Sequence, residues 1–144
     1  MEDHVDGAIV APLRAGTPGD LSTVFDAGAL ATVNGADKAV MTDTGLPKVA
    51  GDLTVRAKPV NLVALGDQSG AVVLVSAAID LTADGTPQGA KVPLHVARTG
   101  DLVLAPDGTG GWRITSYSMS VTRSGSGVDT TTSSSTPATT KGKK

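Results

Sequence analysis

From Leu53 to Arg123 apolar and polar residues alternate with a period of two, whereas ahead of that stretch apolar residues recur about four apart. Leu53, Val55 and Ala57 alternate with Thr54, Arg56 and Lys58, as a strand with one wet face does. Pro59 interrupts this run, and beyond it Val60, Leu62 and Ala64 carry the apolar positions one step out of phase. A β-bulge at Lys58-Pro59 accounts for both the slip and the proline. Ala71 to Leu81 is apolar at almost every position, which predicts a central strand covered on both faces. Val92, Leu94 and Val96 resume the alternation, Gly100 marks a bend, and Leu102-Val103-Leu104 continues. Trp112 to Arg123 is the last strand, with Ile114 on one face and Tyr117, Met119 and Val121 on the other. Glycine- and aspartate-rich turns are predicted at residues 66–70, 83–89 and 106–111.

Residues 3–47 read as short amphipathic helices and turns. Val5, Ile9 and Leu13 fall on one helical face, and Pro12 predicts a kink or a break into two short helices. Thr17-Pro18-Gly19-Asp20 resembles a helix start, with Leu21, Val24 and Phe25 on one face and an end near Asp26-Ala27-Gly28. A third short helix is expected over Ala29–Val33 or Gly35–Met41. Helices followed by an antiparallel meander give an α+β fold. The expected architecture is a curved sheet of four main strands, a half-cone, covered by the N-terminal helices and leaving a concave pocket. Residues 1–124 form the domain, and 125–144, almost free of apolar side chains, read as a disordered Ser/Thr/Pro/Lys tail.

Composition narrows the chemistry. The chain of 144 residues has one Phe, one Tyr and one Trp, so Val, Leu, Ile and Ala must fill the core. Residues 1–125 carry nine basic against thirteen acidic side chains, and this acidic balance argues against a nucleic-acid-binding face. There is no cysteine, so disulfides, thiolate metal sites and a Cys nucleophile are excluded. His4 and His95 have no partner spacing that makes a metal motif, and no cofactor motif is present. The Gly108–Gly111 run joins two strands, so it lacks the helix N-terminus of a phosphate loop. No apolar run is long enough to span a bilayer, and Met1-Glu2-Asp3-His4 is unlike a signal peptide.

Four side chains are candidates for a pocket. His95 sits in an alternating strand and can act as a base, or it faces solvent. Tyr117 with an aspartate would supply the parts of ketosteroid-isomerase chemistry. Asp80 is the leading acid because it interrupts an apolar strand; Asp26, Asp43 and Asp101 are the others. Trp112 is either a stacking platform for a ligand or a pin between sheet and helices.

Several stretches resemble a known family. VAPLRAGTPGDLSTVFD (Val10 to Asp26), AVMTDTGLP (Ala39 to Pro47), GAVVLVSAAIDLT (Gly70 to Thr82) and RTGDLVLAPDGTGGWRITSYSMSVTR (Arg98 to Arg123) are similar to the nuclear-transport-factor-like (cystatin-like) α+β cone superfamily. The version they resemble is that of actinobacterial envelope proteins, including the mammalian-cell-entry-associated type. That resemblance implies a domain outside the membrane, behind an upstream anchor or signal, with no activity of its own. The expected function is thus a non-catalytic extracytoplasmic binding or accessory domain for a protein partner or an apolar small molecule. Homodimerisation through the sheet is a further expectation, from the two-faced strand. A small ketosteroid-isomerase-like or polyketide-cyclase-like enzyme and a cytosolic scaffold are the alternatives.

Overall fold

The computed structural model describes residue His4, residues 6–126, Val128 and residues 130–136, with backbone alone at Asp6, Pro59 and Thr130. The fold is α+β. Five strands form one antiparallel sheet in the order β1-β2-β3-β4-β5: β1 (Val49–Gly66), β2 (Val72–Pro87), β3 (Leu94–Pro106), β4 (Trp112–Ser124) and β5 (Thr130–Ser135).

The expected bulge is present: the β1–β2 register shifts between Pro59 and Asn61, where proline withholds an N–H from the ladder. Two hairpin turns share one device. Asp67 Oδ1 accepts from the Ser69 and Ala71 amides at 2.8 and 3.1 Å, and Asp107 Oδ1 accepts from the Thr109 and Gly111 amides at 2.8 and 3.0 Å. An aspartate that ties up the amides two and four residues on closes each loop without help from elsewhere in the fold.

Three strand expectations change. The sheet has five strands and not four, because 130–135, assigned to the disordered tail, pairs with β4 from Ser118↔Ser135 to Arg123↔Thr130. Hydroxyl side chains bury little, yet the backbone of such a segment still completes an edge ladder. Residues 137–144, including the lysine cluster, lie outside the described residues. Ala83 to Thr86 continue β2 and are not a turn, since Ala83 is buried against the helices and Gly85 passes close to Val49. Finally, β2 is not covered on both faces: Val72, Val73 and Asp80 are exposed, and the buried positions alternate.

The N-terminal third is helical in shorter pieces than its pattern implies. A π-helical turn, Asp6–Val10, runs into α1 (Ala11–Ala15), with Pro12 in the first turn where its missing N–H is not needed. Val5 falls outside the described residues. Residues 17–25 form no helix. Asp20 closes a turn onto the Ser22 amide at 2.9 Å, and Phe25 makes an isolated parallel bridge with Ile114. The Asp26 amide donates to Ile114 O at 3.0 Å, and that of Ile114 to Val24 O at 2.8 Å. Leu21–Phe25 itself closes as a single turn, with the Phe25 amide donating to Leu21 O at 3.0 Å, and its end is tied to β4. Asp26, expected at a helix end, instead caps α2 (Ala27–Asn34) by accepting from the Ala29 amide at 2.7 Å. A last short helix, α3 (Lys38–Met41), precedes β1. Ile9, Leu13, Phe25, Val33 and Met41 pack in one cluster with the inward residues of β2, β3 and β4. The helices thus cover one face of the sheet.

Candidate functional site

The β1–β2 hairpin is longer than the helical layer that covers the sheet. Beyond the bulge it stands as an arm whose apolar side chains lack cover: Val60, Leu62, Val63 and Leu65 on β1, and Val72 and Val73 on β2. Pairing Leu62↔Ala77 and Val63↔Ser76 sets Leu62 on the inner face and Val63 on the outer. Where the arm leaves the core, its inner face forms one wall of a half-open groove of about 390 Å³. Leu62, Val75, Ala77, Leu102, Leu104, Trp112 and Ile114 line the sheet side, and Val24 lines the other. The chemistry on offer is apolar contact and an indole face. Thr23 and His4 supply the polar edge.

His4 is the only titratable group lining the groove among the described residues. Its imidazole is buried edge-on against Phe25, with ring centroids 5.6 Å apart. Burial, aided by the nearby Arg98 charge, lowers its pKa from 6.5 to about 3, so the ring is neutral in the folded state near neutral pH.

The four predicted site residues do not converge. Trp112 opens β4 and is 41% exposed on the groove wall, so it is not a buried pin. Tyr117 is buried on the inner face, where its hydroxyl donates to Asp37 Oδ2 at 2.6 Å. Asp80 is exposed on the outer face, opposite Lys58 on one neighbour and Thr99 on the other. His95 is also on the outer face, with Nδ1 2.5 Å from Asp84 Oδ1, and Arg56 reaches the other Asp84 oxygen at 3.9 Å. Asp80 and Tyr117 therefore stand on opposite faces of the sheet. Of the other acids, Asp26 caps a helix and Asp101 is exposed on the outer face.

Asp43 is the exception, and the pattern did not reveal its role. It is fully buried, and Oδ1 accepts from Arg98 Nη2 at 2.8 Å and from Arg123 at 3.0 and 3.1 Å. Arg123 also donates to the carbonyl of Ala39 at 2.8 Å, whereas Nε and Nη1 of Arg98 find no partner among the described residues. The cluster ties β3 and β4 to the segment after α3. It does not line the groove. Strand parity was the available signal: Arg98 lies in phase with Leu94 and Val96, and Arg123 with Tyr117, Met119 and Val121.

No group of three or more metal-ligating side chains occurs among the described residues, and no described helix is long and apolar enough to cross a membrane. Compared with known proteins, the chain matches no family model, no curated protein and no solved structure.

Proposed function

We propose that this protein is a non-catalytic binding domain whose groove receives an apolar small molecule or the apolar side chains of a protein partner. The observation that supports this is the groove itself. It is large, half open and apolar, with a single indole exposed on its wall and a neutral histidine at its edge. The isomerase alternative lacks this support, because its tyrosine and its leading aspartate occupy different faces. The finer architecture, a sheet curled into a half-cone of the nuclear-transport-factor-like kind, is part of the proposal, as is an extracytoplasmic location in the cell envelope. Both rest on the sequence resemblance.

Trp112 is the only tryptophan, so its emission reports the groove alone. Titration with decanoic acid is expected to shift that emission to the blue in a saturable way, and Leu62→Asp to abolish the shift. An unchanged spectrum up to the solubility limit overturns the small-molecule reading. A full response in Leu62→Asp would move the site elsewhere.

A further inference from the structure

The arm that walls the groove has a second surface. β1 is an edge strand, and beyond the bulge its outer edge pairs with no described strand. At the start of β1, ahead of the arm, the Arg14 guanidinium donates to Val49 O at 3.1 Å and also to Gly51 O. From Val60 to Leu65 the strand holds no charge, and apolar side chains leave both faces exposed: 61% for Leu62 on the inner, 48% for Val63 and 54% for Leu65 on the outer. Exposed edges of this kind are normally blunted by lysine, proline or a bulge; here the proline and bulge lie at the base and leave the run itself unprotected.

We propose that the occupant of this edge is a second copy of the same chain, paired β1 to β1 in antiparallel sense across a two-fold axis at Val63. Three observations select it. First, the charges bounding the run are opposite: Lys58 at the base and Asp67 at the tip. Antiparallel self-pairing about Val63 sets the base of each arm beside the tip of the other, so Lys58 lies opposite Gln68 of the second copy and one residue from its Asp67 in both halves. Second, the edge offers a matching strip: Val60, Leu62, Val63 and Leu65 stand 48–68% exposed along one open strand, so each copy presents the other with an uncharged apolar run of equal length. Third, the tip argues against a lipid bilayer as the occupant. Asp67 leads the arm, and hydrogen bonds from Ser69 hold its carboxyl below the usual range, so a firmly ionised group would have to enter first. An isologous contact also closes on itself, which keeps an exposed edge from propagating into fibres.

This proposal does not rest on the groove reading, and the two fail separately, because Val63 and Leu65 face away from the groove. Sedimentation velocity on the full chain from low to high micromolar concentration is expected to show a monomer–dimer equilibrium. Val63→Lys with Leu65→Lys is expected to leave only monomer, with unchanged circular dichroism, melting temperature and Trp112 response to decanoic acid. The chain has no cysteine. Val63→Cys should therefore cross-link to a covalent dimer under diamide, while Thr54→Cys, exposed on the same strand but far from the axis, should not. Monomer at every concentration overturns the proposal, as does equal cross-linking of the two variants. Co-sedimentation of the monomer with phosphatidylglycerol vesicles overturns it in favour of lipid.

Discussion

Tyr117 donates its hydroxyl to Asp37 Oδ2 at 2.6 Å across eighty residues of chain, and both groups are buried. The bond joins β4 to the residue that precedes α3. Phe25 packs edge-on to the same tyrosine, with centroids 6.1 Å apart, so the sheet, the 21–26 segment and α3 meet at this ring. Burial raises the tyrosine pKa, and the hydrogen bond to Asp37 and its charge add to the shift, so the hydroxyl remains a donor through the alkaline range. Tyr117→Phe keeps the ring and strands a carboxylate, at an expected cost of about 1–3 kcal/mol. Urea unfolding of Tyr117→Phe, Asp37→Ala and the double variant should yield a coupling energy of about 1 kcal/mol or more. A coupling near zero would mean that the two groups do not share the bond in solution.

The Asp43 cluster makes an asymmetric prediction. One carboxylate serves two buried guanidinium groups, so Asp43→Asn leaves two cations without a counterion. Its expected cost is about 3–5 kcal/mol. Arg98→Met should cost far less, because it leaves the Asp43–Arg123 pair intact and removes two guanidinium nitrogens that have no partner among the described residues. Arg123→Met should rank with Asp43→Asn, since Arg123 also satisfies the Ala39 carbonyl. Denaturant midpoints of the three variants test this ranking, and a penalty for Arg98→Met equal to the other two contradicts it.

Acid sensitivity should trace to His4. Its folded-state pKa, about 3, lies below the unfolded value of 6.5. Between those two values the unfolded chain binds the proton and the folded chain does not, so stability falls as pH falls from 6.5 towards 3. The slope contributed by one such group is about 1.4 kcal/mol per pH unit. Above pH 6.5 this contribution is fully present. His4→Leu should flatten the profile between pH 6 and 4 when urea midpoints are compared with those of the parent chain. Parallel profiles would show that groups other than His4 govern acid unfolding.

The parts of the fold that were legible in sequence are those fixed locally. Alternation placed β1, β3 and β4, a nearly unbroken apolar run placed β2, the Pro59 slip placed the bulge, and the Asp-led turns announced two hairpins. Pro12 falls in the first turn of α1, just after the π-helical turn gives way to it. What stayed hidden depends on partners distant in the chain. The 21–25 segment carries helical spacing but stops after a single turn, because Val24 O and the Asp26 amide bond to Ile114, some ninety residues on. The β5 strand has no apolar pattern at all, because its partner is the β4 backbone. The same holds for the site. Trp112 was visible as a lone aromatic, whereas the groove exists only because the arm outruns the helical layer, which no local pattern encodes. Arg98 and Arg123 were readable by parity, yet a charge in phase with core residues reads as an error in the pattern until its carboxylate is found.

Gly100 separates steric from conformational roles of glycine. The sequence reads it as a bend, but it lies within β3, opposite Ile79 on one side and Met119 on the other. A Cβ there would collide with the Ser118 carbonyl oxygen and crowd Met119 Cα at 2.9 Å, and both are backbone atoms of a central strand. They cannot swing aside as a side chain can, so Gly100→Ala must force β3 and β4 apart. An overpacking cost of about 3 kcal/mol, or failure to fold, is expected. Gly89 is the matching control: its φ is +77° and its Cβ position is open, so Gly89→Ala should cost only about 1–2 kcal/mol from backbone strain. Thermal unfolding of both variants discriminates these roles. If Gly100→Ala proves the milder of the two, then β3 and β4 do not approach as closely as this packing requires.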